Sequence, residues 1–384
     1  MDGNKTLGVY LHIPFCLSKC PYCDFCSIPG ADKRTKNRYL SALLKNMTQL
    51  SPQAEGYLVD SVFIGGGTPT VLPPQDLKKL IDTLYRAYFV TEDAEFTVEV
   101  NPATVSRKYA ELLVAFGVNR VSIGLQSADD GELKALGRIH TVRDFEESYR
   151  ILRDAGMENI NLDLMYGIPT QTTESFLNTL KYAVSLDPEH ISAYGLQLEP
   201  GTPFFDRRDT LALPGEDAEY SMYCYAEEYL RENGYEHYEI SNYAKPGKRC
   251  RHNMKYWNSE PYLGFGAAAH SDFGGCRYGY VSDLRAYSDA IESGGSDGRI
   301  YAEREIHTPA STETEYVMLR FRLREGVDKK IYEALFGRSF DSKYAQRLEP
   351  FEAGGFIKND ADSCRLTTDG MYVSNTILSS ILDF

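Results

Sequence analysis

The sequence predicts an α/β protein: a partial (β/α)6 barrel over residues 1–201, a mixed α+β extension over 202–307, and a winged-helix-like unit over 308–384. Three observations lead there. Short apolar runs alternate with amphipathic segments six times before Gly201, the rhythm of parallel strand–helix units. Pro200-Gly201-Thr202-Pro203 then interrupts that rhythm. After Thr308 come three helical stretches and two short strands, with a final helix behind them. Six units are too few to close an eight-unit barrel, so the sheet is expected to stay open and to carry its site at the C-terminal strand ends.

The first strand runs into Tyr10-Leu-His-Ile-Pro-Phe-Cys16-Leu-Ser-Lys-Cys20-Pro-Tyr22-Cys23-Asp-Phe-Cys26, which sets Cys16, Cys20 and Cys23 in a C-x3-C-x2-C spacing. Three converging thiolates are a usual shell for iron or zinc. A closed zinc site commonly draws four ligands from two separated knuckles, and no second knuckle follows here. Cysteines packed merely as small hydrophobes would not need such clustering. A [4Fe-4S] cluster on these three would leave one iron open to a small molecule. Cys26 is read as a bystander, with an auxiliary role as the alternative.

An amphipathic segment, Arg34 to Leu50, leads to the strand Val59–Ile64 and then to Gly65-Gly66-Gly67-Thr68-Pro69. Successive glycines either let backbone N–H groups approach a ligand or form a plain tight turn. Helix 74–89 precedes Glu95-Phe-Thr-Val-Glu99-Val-Asn101-Pro102, an alternating strand with Glu99 and Asn101 on one face. Glu99 is either a ligand acceptor or a solvated edge residue. Helix 105–116 and the strand Arg120–Ser127, which stops at the polar pair Gln126-Ser127, come next. Helical stretches 133–138 and 142–155 lead to Ile160–Pro169, where Asp163 interrupts an apolar strand and therefore needs a hydrogen-bonding or charged partner. Helix 173–185 and strand 190–198 complete the six units. The strand-end rule gathers Cys16, Gly66, Glu99, Gln126 and Asp163 at one mouth.

Composition sets the class. The 384 residues are 42% hydrophobic and 25% charged, ordinary for a globular chain of two or three domains. A formal net charge of −14 argues against a long nucleic-acid footprint. The opening residues show no basic region followed by an apolar core, and no apolar run is long enough to span a bilayer. Cys224, Cys250, Cys276 and Cys364 are too scattered for a secreted disulfide framework. The cytoplasm is the expected compartment, with peripheral membrane association left open.

The cysteine spacing with Tyr22 resembles the radical S-adenosylmethionine (SAM) superfamily, in which the open iron chelates the amino and carboxylate groups of SAM. Further motifs are similar to its coproporphyrinogen-dehydrogenase-like branch: Y-x-H-I-P-F-C, G-G-G-T-P, E-V-N-P, S-I-G-L-Q-S, L-G-R-x-H, D-L-M-Y-G-I-P, H-N-x-x-Y-W and G-x-G-A-A-A-H-S. The resemblance implies cofactor contacts from Tyr10, Tyr22, Gly66, Gly67, Thr68, Glu99, Gln126, Arg138 and Asp163, with Asp163 suited to a ribose or to fixing Arg138. The decarboxylating dehydrogenases carry a fourth cysteine two positions after the third. Here that position is Phe25, and only nine residues precede Tyr10. Both departures favour the heme-chaperone side of the family, which implies heme as a further ligand and heme apoproteins, those of respiratory chains among them, as clients. The alternative is the oxygen-independent dehydrogenase itself.

Beyond Gly201, helix 218–231 precedes Tyr235–Tyr243, where His237 is read as one position of a polar, edge-strand alternation. Cys250-Arg-His252-Asn-Met-Lys-Tyr256-Trp257 combines possible iron ligands with flat side chains. Heme needs an axial donor and apolar walls. With the resemblance, His252 is the first candidate for that donor, ahead of Cys250 and His237, while His270 in the Gly264–Ser271 turn could cover the cofactor site. A Gly- and Asp-rich gap, 291–298, separates this region from the tail, whose near-balanced charge favours docking on the barrel or a client over DNA.

Overall fold

The six apolar runs form strands β1 (Lys5–Ile13), β2 (Tyr57–Gly66), β3 (Val90–Val100), β4 (Arg120–Gln126), β5 (Ile160–Tyr166) and β6 (His190–Gly195), each parallel to the next. The computed structural model describes residues 5–294 and 298–382. Strands covered on both faces read as continuous apolar runs, and all of β4 is buried. The covering helices are Lys33–Leu50, Pro74–Ala87, Arg107–Ala115, Val142–Asp154 and Thr173–Ser185. Four of them start on a side-chain cap: Asp32, Ser106, Thr141 and Thr172 each accept a backbone N–H from the first turn. Leu7, Val9, Leu11 and Ile13 on β1, with Val62 and Ile64 on β2, are fully buried. Each such side chain contributes about 1.5–3 kcal/mol through burial.

The strands of the extension continue the same sheet at both edges. Beyond β6 lie β7 (Glu236–Glu239) and β8 (Asn242–Ala244); beyond β1 lie β9 (Tyr262–Phe265), β10 (His270–Phe273), β11 (Cys276–Tyr280) and β12 (Tyr301–Ile306). The order is β12-β11-β10-β9-β1-β2-β3-β4-β5-β6-β8-β7, an open twelve-stranded sheet. β9 runs parallel to β1, Gly8 opposite Tyr262 and Leu11 opposite Phe265. Without it β1 would expose a row of unpaired N–H and C=O groups. His237, expected at a polar edge, is buried on β7 and stacks on Tyr243 at 4.4 Å.

The tail holds helices Pro309–Arg320, Lys329–Phe336 and Phe340–Ala353. Its wing has three strands rather than two, because Val327–Asp328 pairs with Ser363–Leu366 beside Ile357–Asn359. The expected last helix is split at Val373 into Thr368–Tyr372 and Ser374–Ile381. Arg320 donates to Asn258 at 2.6 Å and Tyr220 to Asp369 at 2.7 Å, fastening this unit to the preceding segments. Part of the Gly- and Asp-rich gap, 295–297, lies outside the described residues. Among the described residues no helix is long and apolar enough to cross a membrane.

Candidate cluster and cofactor site

The cysteines occupy one loop leaving β1. Its base is closed by backbone: Ile28 N–H donates to Pro14 O at 2.7 Å and Gly30 N–H to Cys16 O at 3.2 Å. All three thiols are free and partly exposed. Two receive side-chain hydrogen bonds: Thr68 Oγ1 donates to Cys16 Sγ at 3.7 Å, and Arg138 Nη1 to Cys20 Sγ at 3.7 Å. Asn101 ties these donors together, giving its amide N–H to Thr68 Oγ1 at 2.6 Å and accepting from Arg138 at 2.9 Å. The expected alternative in which Asp163 fixes Arg138 is therefore not realised. Burial pushes the Cys23 thiol up. Cys26 turns elsewhere, its thiol donating to Ser282 O at 3.3 Å.

Hydrogen bonds to cluster sulfurs raise a reduction potential by stabilising the electron-rich state. Thr68→Val is expected to lower the potential of a cluster on this loop. A net hydrogen bond of about 1 kcal/mol corresponds to on the order of 40 mV for one electron. A redox titration followed by electron paramagnetic resonance checks it; an unchanged midpoint would remove Thr68 from this role.

The N–H groups of the glycine loop are engaged within the protein. Gly66 N–H donates to Glu99 Oε2 at 2.9 Å, Gly67 N–H to Ile13 O at 2.8 Å and Thr68 N–H to Phe15 O at 2.7 Å. These N–H groups are spent on the cluster loop and on Glu99, so what the loop leaves for a ligand is an acceptor. Gly66 has φ +106°, and a Cβ there would lie 2.3 Å from the His12 ring. A Cβ at Gly65 would come within 2.8 Å of the Glu99 carboxylate.

Glu99 is partly buried, and its carboxyl is pushed up to about 7 by desolvation and then by the neighbouring Asp163 charge, against the Gly66 N–H and Arg120. Asp163 accepts from Ser122 Oγ at 2.9 Å and Asn161 Nδ2 at 2.8 Å, and burial raises it as well. Gln126 closes β4 at φ +67°, a strained position for a residue other than glycine. Its amide and the Arg138 guanidinium crowd over Gly124, where a Cβ would lie 2.6 Å from Gln126 Nε2.

Tyr10, Gly66 and Glu99 line a cavity of about 440 Å³ whose other walls include Tyr256, Trp257 and Tyr262. Thr68 and Arg138 line a smaller cleft beside Cys20, while Gln126 and Asp163 line neither. Tyr22 stands against Arg138 and Phe204. His252 lies on helix Arg251–Trp257, whose first N–H groups are held by buried Glu95 at 3.0 and 3.1 Å. It is buried, with Nδ1 3.0 Å from Ser61 Oγ and Nε2 2.8 Å from Tyr256 OH. Burial lowers it to about 3, so the ring is neutral near pH 7. Its hydrogen-bond partner Tyr256 lines the cavity, and His252 itself does not. His270 is half-exposed beside Glu303, and Cys250 is buried against Glu95.

A sequence profile of the Radical SAM superfamily matches residues 10–183, and one of the HemN C-terminal domain matches 313–373. The heme chaperone HemW of Bacillus subtilis is 36% identical over 98% of this chain and 99% of its own length. The chain belongs to the HemW family of radical SAM proteins. The Escherichia coli HemW is also 36% identical, over 98% of each chain, and that of Mycobacterium tuberculosis 31%, over 99% of this chain and 95% of its own. The solved structure of Escherichia coli coproporphyrinogen III oxidase, HemN, has the same fold, with TM-score 0.87 at 23% identity over 98% of this chain and 90% of that one.

A radical SAM protein of the HemW family uses a [4Fe-4S] cluster and SAM. The loop suits such a cluster: three thiols, two of them met by hydrogen-bond donors, on a backbone-closed turn. Asn101 is the residue that the sequence reading placed on the right face without a role. Its bridging position depends on three separate chain segments meeting, which no local pattern records.

Proposed function

We propose that this chain is a heme chaperone: it binds heme and passes it to client apoproteins, respiratory hemoproteins among them, in the cytoplasm. The observation that carries this reading is the identity of 36% with heme chaperones named HemW over practically the whole chain. The cluster is assigned to Cys16, Cys20 and Cys23. Bound there, SAM would supply a sulfonium for cleavage by one electron from the reduced cluster, giving methionine and a carbon radical. The chain's own part is to hold SAM. Glu99, partly buried and without a cationic hydrogen-bond partner among the described residues, accepts from the ammonium beside Gly66, Gly67 and Thr68. Tyr10 walls the cavity, and Tyr22, Gln126, Arg138 and Asp163 fix the surrounding polar groups.

For heme, the aromatic cavity supplies flat walls and His252 the axial nitrogen, reached when Tyr256 turns aside and gives up its 2.8 Å hydrogen bond. His252→Ala is expected to shift the Soret band and speed heme loss, measured on protein whose cluster is intact. An unchanged Soret position and loss rate would move the assignment to Cys250 or His237. The function itself is tested by offering the reconstituted protein heme and coproporphyrinogen III separately under anaerobic conditions. Stable heme uptake without decarboxylation is expected; release of two carbon dioxide per coproporphyrinogen would make it the dehydrogenase instead.

A further inference from the structure

Away from the cluster, three side chains from separate elements converge. Asp272 lies on β10, His307 directly follows β12, and Glu315 lies on helix Pro309–Arg320. One ligand atom from each lies within 4.8 Å of the other two. His307 Nε2 is 2.9 Å from Asp272 Oδ1, and Nδ1 is 3.8 Å from Glu315 Oε2. The three side chains are only 17–22% exposed. Arg277 on β11 pairs with Glu315 Oε1, which leaves Oε2 turned to the imidazole. That is the outer-sphere hydrogen bond by which metal-binding carboxylates are held in orientation. Asp272 and Glu315 also line the large aromatic cavity.

We propose that Asp272, His307 and Glu315 bind one divalent transition-metal ion, of the zinc or ferrous class, at the rim of that cavity and independently of the cluster. One nitrogen and two oxygen donors suit zinc, iron(II) or manganese, whereas calcium and magnesium take oxygen alone. Three protein ligands leave coordination positions for water or an exchangeable ligand, and Asp272 and Glu315 make those positions reachable from the cavity. The ion ties the first helix of the C-terminal unit to the cavity-side edge of the sheet. The motif is absent from the sequence reading because 35 residues separate Asp272 from His307 and the third ligand lies on a helix turned in from the next unit.

The test is zinc binding by the full chain with its cluster assembled, under anaerobic conditions, against a chromophoric chelator. One equivalent of zinc is expected while four irons per chain are retained, and cobalt(II) in its place should give ligand-field absorption of a nitrogen–oxygen site. His307→Gln keeps a hydrogen-bonding partner for Asp272 but removes the ligand nitrogen, and is expected to weaken zinc at least 100-fold. Glu315→Gln should do the same, and zinc should raise the unfolding midpoint of the parent but of neither variant. Glu303→Gln, at an exposed carboxylate of β12, controls for adventitious surface binding and should leave the affinity unchanged. Equal zinc affinity in parent and His307→Gln, zinc gained only as iron is lost, or no zinc held against the chelator would overturn the proposal and leave the three residues as an ion-pair network. Where His307→Gln fails to fold, Asp272→Asn is judged by the same criteria.

Discussion

Alanine in place of any one of Cys16, Cys20 or Cys23 is expected to yield protein without a four-iron cluster, seen as loss of the thiolate-to-iron charge-transfer absorption and of bound iron. With three protein thiolates and one open iron there is no spare ligand to take over. Cys26 is the nearest substitute in sequence, but its thiol faces Ser282 in the strand-to-helix turn of the extension. Cys26→Ala should therefore keep the cluster. The fold should survive all four substitutions, because the loop is closed by the Ile28–Pro14 and Gly30–Cys16 backbone bonds. A full cluster in Cys20→Ala, or its loss in Cys26→Ala alone, would show that the ligands are misassigned.

Glu99→Gln should trade affinity for stability. The Glu99 carboxyl of the cofactor-free protein sits at about 7, so it is largely protonated at pH 6 and ionised at pH 8. An ionised carboxylate is what an ammonium needs. SAM affinity of the parent should therefore rise about tenfold per pH unit below 7 and level off above it. Losing one charged hydrogen bond costs roughly 1.5–3 kcal/mol, so Glu99→Gln should bind SAM about 10- to 100-fold more weakly at pH 8 and with little pH dependence. Stability moves the other way. Because the folded pKa lies above the ordinary 4.5, the stabilising contribution is complete below about 4.5 and is lost as pH rises through about 7. The span from 4.5 to about 7 corresponds to about 3 kcal/mol. Cofactor-free Glu99→Gln should resist urea better than the parent above pH 7, with little gain near pH 4.5. A parent whose SAM affinity is flat between pH 6 and 8 would count against Glu99 as the acceptor.

Helix Thr173–Ser185 is readable to the residue because Thr172 is a strong N-cap and the apolar positions recur at helical spacing. The six parallel strands are readable because burial of both faces makes them apolar runs. The edge strands are not: β9 to β12 are short and rich in Tyr, Gly and charged residues. Gly66 announces its need for positive φ, yet nothing local says that the adjoining N–H groups point at Ile13 and Phe15 rather than at a ligand. His252 illustrates the same limit. Its place among aromatic residues is plain in the sequence, whereas Ser61, which occupies one ring nitrogen, lies 191 positions earlier.

The parallel pairing of β9 with β1 also bears on how the molecule is made. β1 emerges first, but the strand that covers its second edge is some 250 residues downstream, on the order of 10–50 s later at ordinary rates of synthesis. Such distant pairings are slow to form, since loop-closure entropy is spent before the contact returns anything. Until Phe265 is available, the strand that leads into the cysteine loop has an open edge able to recruit another nascent chain. A chain ending at Gly201 would keep that edge permanently and should aggregate. The edge of the strand that leads into the cysteine loop is therefore protected only by a segment from the other half of the chain.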